Sequence, residues 1–293
     1  MSTNLPATSA ARSYPEPVPA SRPASAAVPR PVPGPVPLAR RPGGLDAPAP
    51  PFARLVRLEL RKAVDTVTGR WLLIVTGVLV LGALALGAVF PPTGEDADLQ
   101  FLLTTALLPV SLLLPVLGVL LLSGEFSTRS VLTTFALVPS RGRVVAAKTA
   151  AAVLLAAAGT VLTLALTVAA AGALDLAGRL GGWSVAPEVL LQVLVLQVVY
   201  VLVGVGFGLL CQNTPLAVVT YLVVPSVLAP VVLLMPSLRE IGSWIDLSAG
   251  TTPLMTAAVA DAGDWARVAS VTAIWAGVPF VLGWLRLRRR EIA

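Results

Sequence analysis

The sequence predicts an all-α, polytopic membrane protein with six transmembrane helices and an amphipathic interfacial helix ahead of the first of them. Of the 293 residues, 56% are hydrophobic and only 12% are charged, a balance found in membrane proteins rather than water-soluble domains. The apolar residues gather into charge-free runs, and a hydrocarbon core about 30 Å thick is crossed by about 20 helical residues. The cations flank those runs unequally, as oriented insertion requires.

The chain divides into a tail, residues 1–51, and a six-helix membrane domain, residues 52–293. From Met1 to Pro51 it repeats Pro-Val-Pro and Pro-Ala steps with scattered Arg and almost no large apolar residue. That composition predicts a disordered or polyproline cytoplasmic tail. A domain that reads proline-rich peptides is one partner it would suit; a passive tail needs none. The tail has no continuous apolar core of the kind a secretory signal carries, so insertion is expected to use the spans themselves.

Between Phe52 and Val67, a 3.6-residue period places Phe52, Leu55, Val56, Leu60, Ala63 and Val67 on one side and Arg54, Arg57 and Arg61 on the other. Such a helix suits the cytoplasmic interface, with apolar side chains in the acyl boundary and guanidinium groups near phosphates. A plain helical lead-in to the first span is the simpler alternative.

The spans are expected at Trp71–Phe90, Phe101–Leu122, Ala150–Leu174, Val189–Leu210, Ala217–Met235 and Val268–Leu285. Leu99–Gly124 and Thr149–Leu174 are each 26 residues without a charge. The uncharged run from Val189 to Leu238 is 50 residues, too long for one crossing, and Gln212-Asn213-Thr214-Pro215 supplies a polar turn near its middle.

Alternating sides from the first span puts thirteen cations on one face, including Arg70, Arg129, Arg141, Arg143, Lys148 and the run Arg286–Arg290, and only Arg179, Arg239 and Arg267 on the other. By the positive-inside rule both termini are cytoplasmic in a multi-pass protein of the cell membrane. Trp71 and Trp284 fall at inner boundaries and Trp183 and Trp265 near outer ones, while Trp275 alone is mid-span. The net charge of +6 is therefore topological, with membrane lipid rather than nucleic acid as the expected anionic partner.

A single cysteine, Cys211, excludes an internal disulfide, and the chain has no histidine. The common zinc, haem and Ser-His-Asp constellations thus lack a necessary member, and no cofactor or metal is expected. The spans carry no ionisable group away from their ends, which argues against a proton-coupled pump or a channel with charged rings. Pro109, Pro115, Pro225, Pro230 and Pro279 are expected to bend the helices that hold them, either as hinges lining a pathway or as packing bends. Gly204 and Gly208 form a GxxxG pair that lets two backbones approach, within the chain or between subunits. From Pro236 to Arg267, Ile241, Trp244, Ile245 and Leu247 mix with Gly, Ser and Thr; short helices dipping into the outer leaflet and a plain outer loop both fit.

The segment Gly124–Lys148, GEFSTRSVLTTFALVPSRGRVVAAK, is charged between two uncharged runs. Ser127 is placed to cap a short helix carrying Val131, Leu132 and Phe135, and Pro139 with Gly142 is expected to break the path before the third span. A polar loop would explain the cations; a docking element for a cytosolic protein would also explain the capped apolar turn.

Leu58-Glu-Leu-Arg-Lys62, Ser123-Gly-Glu-Phe-Ser-Thr-Arg-Ser-Val-Leu-Thr-Thr134, Pro139-Ser-Arg-Gly-Arg143 and Ala147-Lys148 together resemble the type-2 ATP-binding-cassette (ABC) exporter permeases, in particular actinobacterial members. The likeness runs in layout from about Leu55 to Arg290 and leaves out the tail. It implies a permease with an interfacial helix before the first span, a coupling helix between the second and third, and short outer helices between the fifth and sixth. It also implies a cytosolic ABC ATPase subunit and a second permease copy, identical or not, as partners. Glu125, Arg129, Thr133, Thr134, Arg141, Arg143 and Lys148 are carried over as ATPase-coupling residues. The chain has no GxxxxGK[ST] stretch, so ATP hydrolysis is expected in the partner and the permease itself is not an enzyme. Uncharged spans suit a hydrophobic or amphipathic cargo such as a drug, lipid or peptide. A membrane-embedded enzyme and a non-transporting scaffold are the other classes compatible with the composition.

Overall fold

The computed structural model describes residues 50–91, 96–127, 141–234, 239–256 and 258–289. The proline-rich tail up to residue 49 and the expected capped turn, with Arg129, Thr133 and Thr134, lie outside the described residues. The helices are α1 (Phe52–Asp65), α2 (Val67–Val89), α3 (Leu99–Ser127), α4 (Arg141–Leu176), α5 (Pro187–Cys211), α6 (Thr214–Leu234), α7 (Arg239–Ile245), α8 (Leu247–Thr251) and α9 (Ala262–Arg289). A 3₁₀ turn, Thr252–Met255, follows α8, and α9 contains a π-helical stretch at Ala273–Gly277. No strand occurs among the described residues.

Five helices, α2, α3, α4, α5 and α9, are long and apolar enough to cross a membrane, the architecture of a multi-pass membrane protein. By the same standard α6 offers a shorter apolar stretch, Thr214–Val227.

α1 and α2 are separate helices because Thr66 takes an extended conformation between them. Its backbone N–H donates to the Lys62 carbonyl at 3.0 Å, closing α1. Its hydroxyl accepts from the Gly69 amide at 3.3 Å, capping α2. Gly69 is needed at this elbow, since a Cβ there would collide with the Ala63 carbonyl. At the other predicted turn, Gln212 ends α5 in the left-handed region with φ 52°, and the Asn213 side chain accepts from the Leu216 amide at 3.1 Å at the start of α6.

One expectation needs correction at the start of α4. The helix begins at Arg141, ahead of the span expected from Ala150, so Gly142 lies in its first turn and does not break the path. Hydropathy marks where a helix meets lipid, whereas backbone hydrogen bonding continues as long as side chains permit. Gly142 faces the Trp284 ring, which lies at ordinary contact distance, 3.4 Å, from where its Cβ would be. Ser127 is the last residue of α3.

α5 is the central helix, apolar on every side and the most buried of the spans. Gly204 sits so close to the Pro115 carbonyl of α3 that a Cβ would overlap it, and a Cβ on Gly208 would come within 2.9 Å of the Val119 carbonyl. The GxxxG pair therefore serves packing within the chain, and the approach is reciprocal, because Gly118 of α3 faces the Val201 carbonyl. Gly206, on another side of α5, faces the Ala276 carbonyl and Pro279 of α9. Pro115 and Pro279 thus lie at helix crossings, as packing bends would.

The segment after α6 folds as short helices rather than a plain loop. Asp246, 2% exposed, caps α8 by accepting from the Ala249 amide at 2.7 Å. Leu247 and Leu254 are buried with Val203, Phe207 and Trp275 between α5 and α9. Trp275 donates its indole N–H to the Ile245 carbonyl at the end of α7, 2.8 Å away.

Candidate functional site: a lysine–glutamate ring joining three helices

The charged side chains of α1, α3 and α4 converge where the α1–α2 elbow meets the end of α3 and the start of α4. On α1, Leu55, Val56, Glu59 and Ala63 form the buried face. Leu55 and Val56 pack against Ala147 and Ala151 of α4. The apolar stripe that amphipathicity alone would give to lipid is thus largely applied to protein. Arg54, Arg57 and Arg61 occupy the exposed face, where Arg61 pairs with Asp65 at 3.3 Å.

Glu59 lies in the middle of that buried stripe, only 6% exposed. A carboxylate placed there needs a cation, and Lys148 of α4, 5% exposed, supplies one: its Nζ donates to Glu59 Oε2 at 2.8 Å. The same ammonium donates to Glu125 Oε1 of α3 at 3.0 Å. Lys62, one turn along α1 from Glu59, donates to Glu59 Oε1 and Glu125 Oε1, each at 2.9 Å. Each lysine therefore bridges both glutamates, and the four charges balance.

Burial works to lower the pKa of Lys62, but hydrogen bonds and charge from Glu59 and Glu125 outweigh it and hold the ammonium above its usual value. The ring is a network of charge-assisted hydrogen bonds that ties the three helices together. Moving α1 against α3 or α4 would separate opposite charges that are partly or wholly buried.

A cleft of about 290 Å³ opens beside the ring, with all four ring residues in its lining. Thr66, Thr68 and Gly69 border it at the elbow, and Leu117, Leu120 and Leu121 of α3 form an apolar wall. A second cavity of about 380 Å³ lies among Leu112, Tyr200, Tyr221, Leu222, Pro225 and Ser226, with Leu247 and Ser248 of α8 at its edge. There Tyr200 shares a hydrogen bond with Thr251 at 3.0 Å, and the Tyr221 hydroxyl donates to the Ser111 carbonyl at 3.2 Å. Pro225 alone of the expected bends borders this space.

Of the residues singled out from sequence, the structure brings Glu125 and Lys148 into the ring. Arg143 points elsewhere, donating to the Pro50 carbonyl at 2.9 Å, and Arg141 is the first residue of α4. Arg286 donates to the Leu210 carbonyl at 3.1 Å, near the end of α5, where helix carbonyls lack partners and the dipole is negative. Sequence reasoning left Glu59 and Lys62 out of the site. The signal was present, because an acid at the centre of a helix's apolar stripe requires a cation from another element. No family model matches this chain, and no curated protein matches it.

Proposed function

We propose that the chain is the transmembrane permease subunit of an ATP-driven ABC exporter, moving a hydrophobic or amphipathic cargo by alternating access. The observation that carries this reading is the ring of Glu59, Lys62, Glu125 and Lys148, which links the pre-span helix to the two helix ends flanking the charged segment. Force applied to that segment by a cytosolic ATPase would reach α1, α3 and α4 together. The resemblance puts the coupling element in the same segment, with Glu125, Arg129, Thr133, Thr134, Arg141, Arg143 and Lys148 as its residues.

In this reading α6 is the fifth of six spans, both termini are cytoplasmic in the cell membrane, and a second permease copy completes the pathway. The cavity bordered by Tyr200, Tyr221 and Pro225 is apolar with a few hydroxyls, the lining that an uncharged or amphipathic cargo such as a drug, lipid or peptide needs.

Co-expression with candidate ABC ATPases, followed by co-purification and transport in proteoliposomes, tests the proposal. Wild-type protein should retain an ATPase and move cargo only with ATP, and Glu125→Ala and Arg141→Ala should each weaken retention while still eluting as folded protein. Full ATPase binding and transport in both variants would remove the coupling role. Transport without any ATPase would remove the whole reading. Cysteine labelling should reach position 96 from outside and position 141 from inside; reversed accessibility would overturn the orientation.

A further inference from the structure

We propose that the cleft beside the ring seats the phosphodiester of a membrane phospholipid, with Lys62 and Lys148 holding the phosphate and the α3 wall holding the start of an acyl chain. This inference rests on the membrane character of the chain and not on transport.

The donor count points to an anion. An ammonium carries three protons, and among the described residues each lysine directs two hydrogen bonds to carboxylates. One N–H remains on each. Both nitrogens lie within 3.0 Å of the same Glu125 Oε1, so they are close enough for one phosphate to bridge. Thr66 uses its hydroxyl oxygen to accept from Gly69, which leaves its proton to donate, and Thr68 adds a second hydroxyl to the lining.

The lining also selects the kind of anion. Two glutamates neutralise the two lysines, so the ring has no net charge to concentrate a free multivalent ion. Leu117, Leu120 and Leu121 make the rest of the cleft apolar. Affinity must therefore combine a modest polar contact with burial of hydrocarbon, about 0.8 kcal/mol for each methylene group. A phosphodiester attached to acyl chains offers both, whereas inorganic phosphate offers only the first.

Native mass spectrometry of the detergent-purified full chain, titrated with dioleoylphosphatidylglycerol, dioleoylphosphatidylcholine or dioleoylglycerol, tests this. Both phospholipids should be retained about tenfold more tightly than the phosphate-free dioleoylglycerol. Lys62→Gln, at a half-exposed position that need not disturb folding, should erase most of that difference and leave dioleoylglycerol unchanged. Thr68→Trp, which narrows the mouth while keeping both lysines, should weaken all three lipids. Equal retention of phospholipid and dioleoylglycerol would overturn the proposal, as would a Lys62→Gln protein that keeps the full preference. Displacement of bound phospholipid by excess inorganic phosphate would also overturn it, in favour of a free-anion site.

Discussion

The two ends of the helix bundle attach short helices to the spans by different chemistry. At one end, α1 is held to α3 and α4 by the four-charge ring, with Glu59 and Lys148 almost completely buried. At the other, Asp246 caps α8 within its own segment, and the bonds that join this region to the spans are, among the described residues, between neutral groups. Trp275 donates to Ile245, Tyr200 bonds Thr251, Gln100 donates to the Met255 carbonyl at 2.8 Å, and Gln192 accepts from the Ala260 amide at 2.7 Å. A buried charge pair is severe when half of it is lost, because the remaining charge has no solvent. A neutral hydrogen bond fails more gently. The charged end should therefore behave as a unit that holds or breaks, and the neutral end as several contacts that loosen one at a time.

The sharpest way to break that comparison is to remove one charge from the ring. Lys148→Met should cost up to about 3–5 kcal/mol by leaving Lys62 alone to neutralise both Glu59 and Glu125, seen as a large drop in melting temperature in detergent. The double variant Glu59→Gln/Lys148→Met should recover most of it. A single variant as stable as wild type would show that the charges are not buried together. Next in size, Gly204→Val should cost about 1–3 kcal/mol or more, because the Cβ meets the Pro115 carbonyl rather than a side chain that can turn aside. It should destabilise both ends alike, and persistence of wild-type stability would contradict the α3–α5 crossing.

A smaller effect is expected from Trp275→Phe, which removes the hydrogen bond to Ile245 and little apolar area. The loss should be about 1 kcal/mol, read as faster hydrogen exchange in α7 and α8 with no change in α1. Exchange that rises at both ends would show the two attachments to be coupled. The smallest is a pH effect. The folded-state pKa of Lys62 is raised above 10.5, so its contribution to stability is complete below that pH and is lost as pH rises through the raised value. Lys62→Gln should remove the high-pH part of the stability loss; an identical alkaline profile in both proteins would contradict the ring's charge state.

The membrane architecture was legible in the sequence to the extent that hydropathy reports it. The runs around Trp71–Phe90 and Val189–Leu210 became helices close to their expected bounds. The polar turn at Gln212–Asn213 fell where a 50-residue apolar run had to be divided. The extension of α4 back to Arg141 was not legible, because charged residues continue a helix without any hydropathy signal. Glu125 and Lys148 stand out in the sequence only through a family resemblance, as coupling residues, and not as partners of one another. Glu59 was passed over because charge was summed by membrane face rather than placed on the wheel of its own helix.

Composition and the periodicity of apolar residues were sufficient to determine that this protein is helical, that several of its helices suit a bilayer, and where its cations concentrate. These depend on local chemistry, since a backbone leaving water must bond to itself whatever its neighbours are. Tertiary structure alone decided that the GxxxG pair faces α3, that Trp275 reaches the α7 carbonyl, and that Glu59, Lys62, Glu125 and Lys148 meet. Residues far apart in the chain acquire a common partner only through the packing of whole helices, and in that packing a lone acid on an apolar stripe is either paired or too costly to bury.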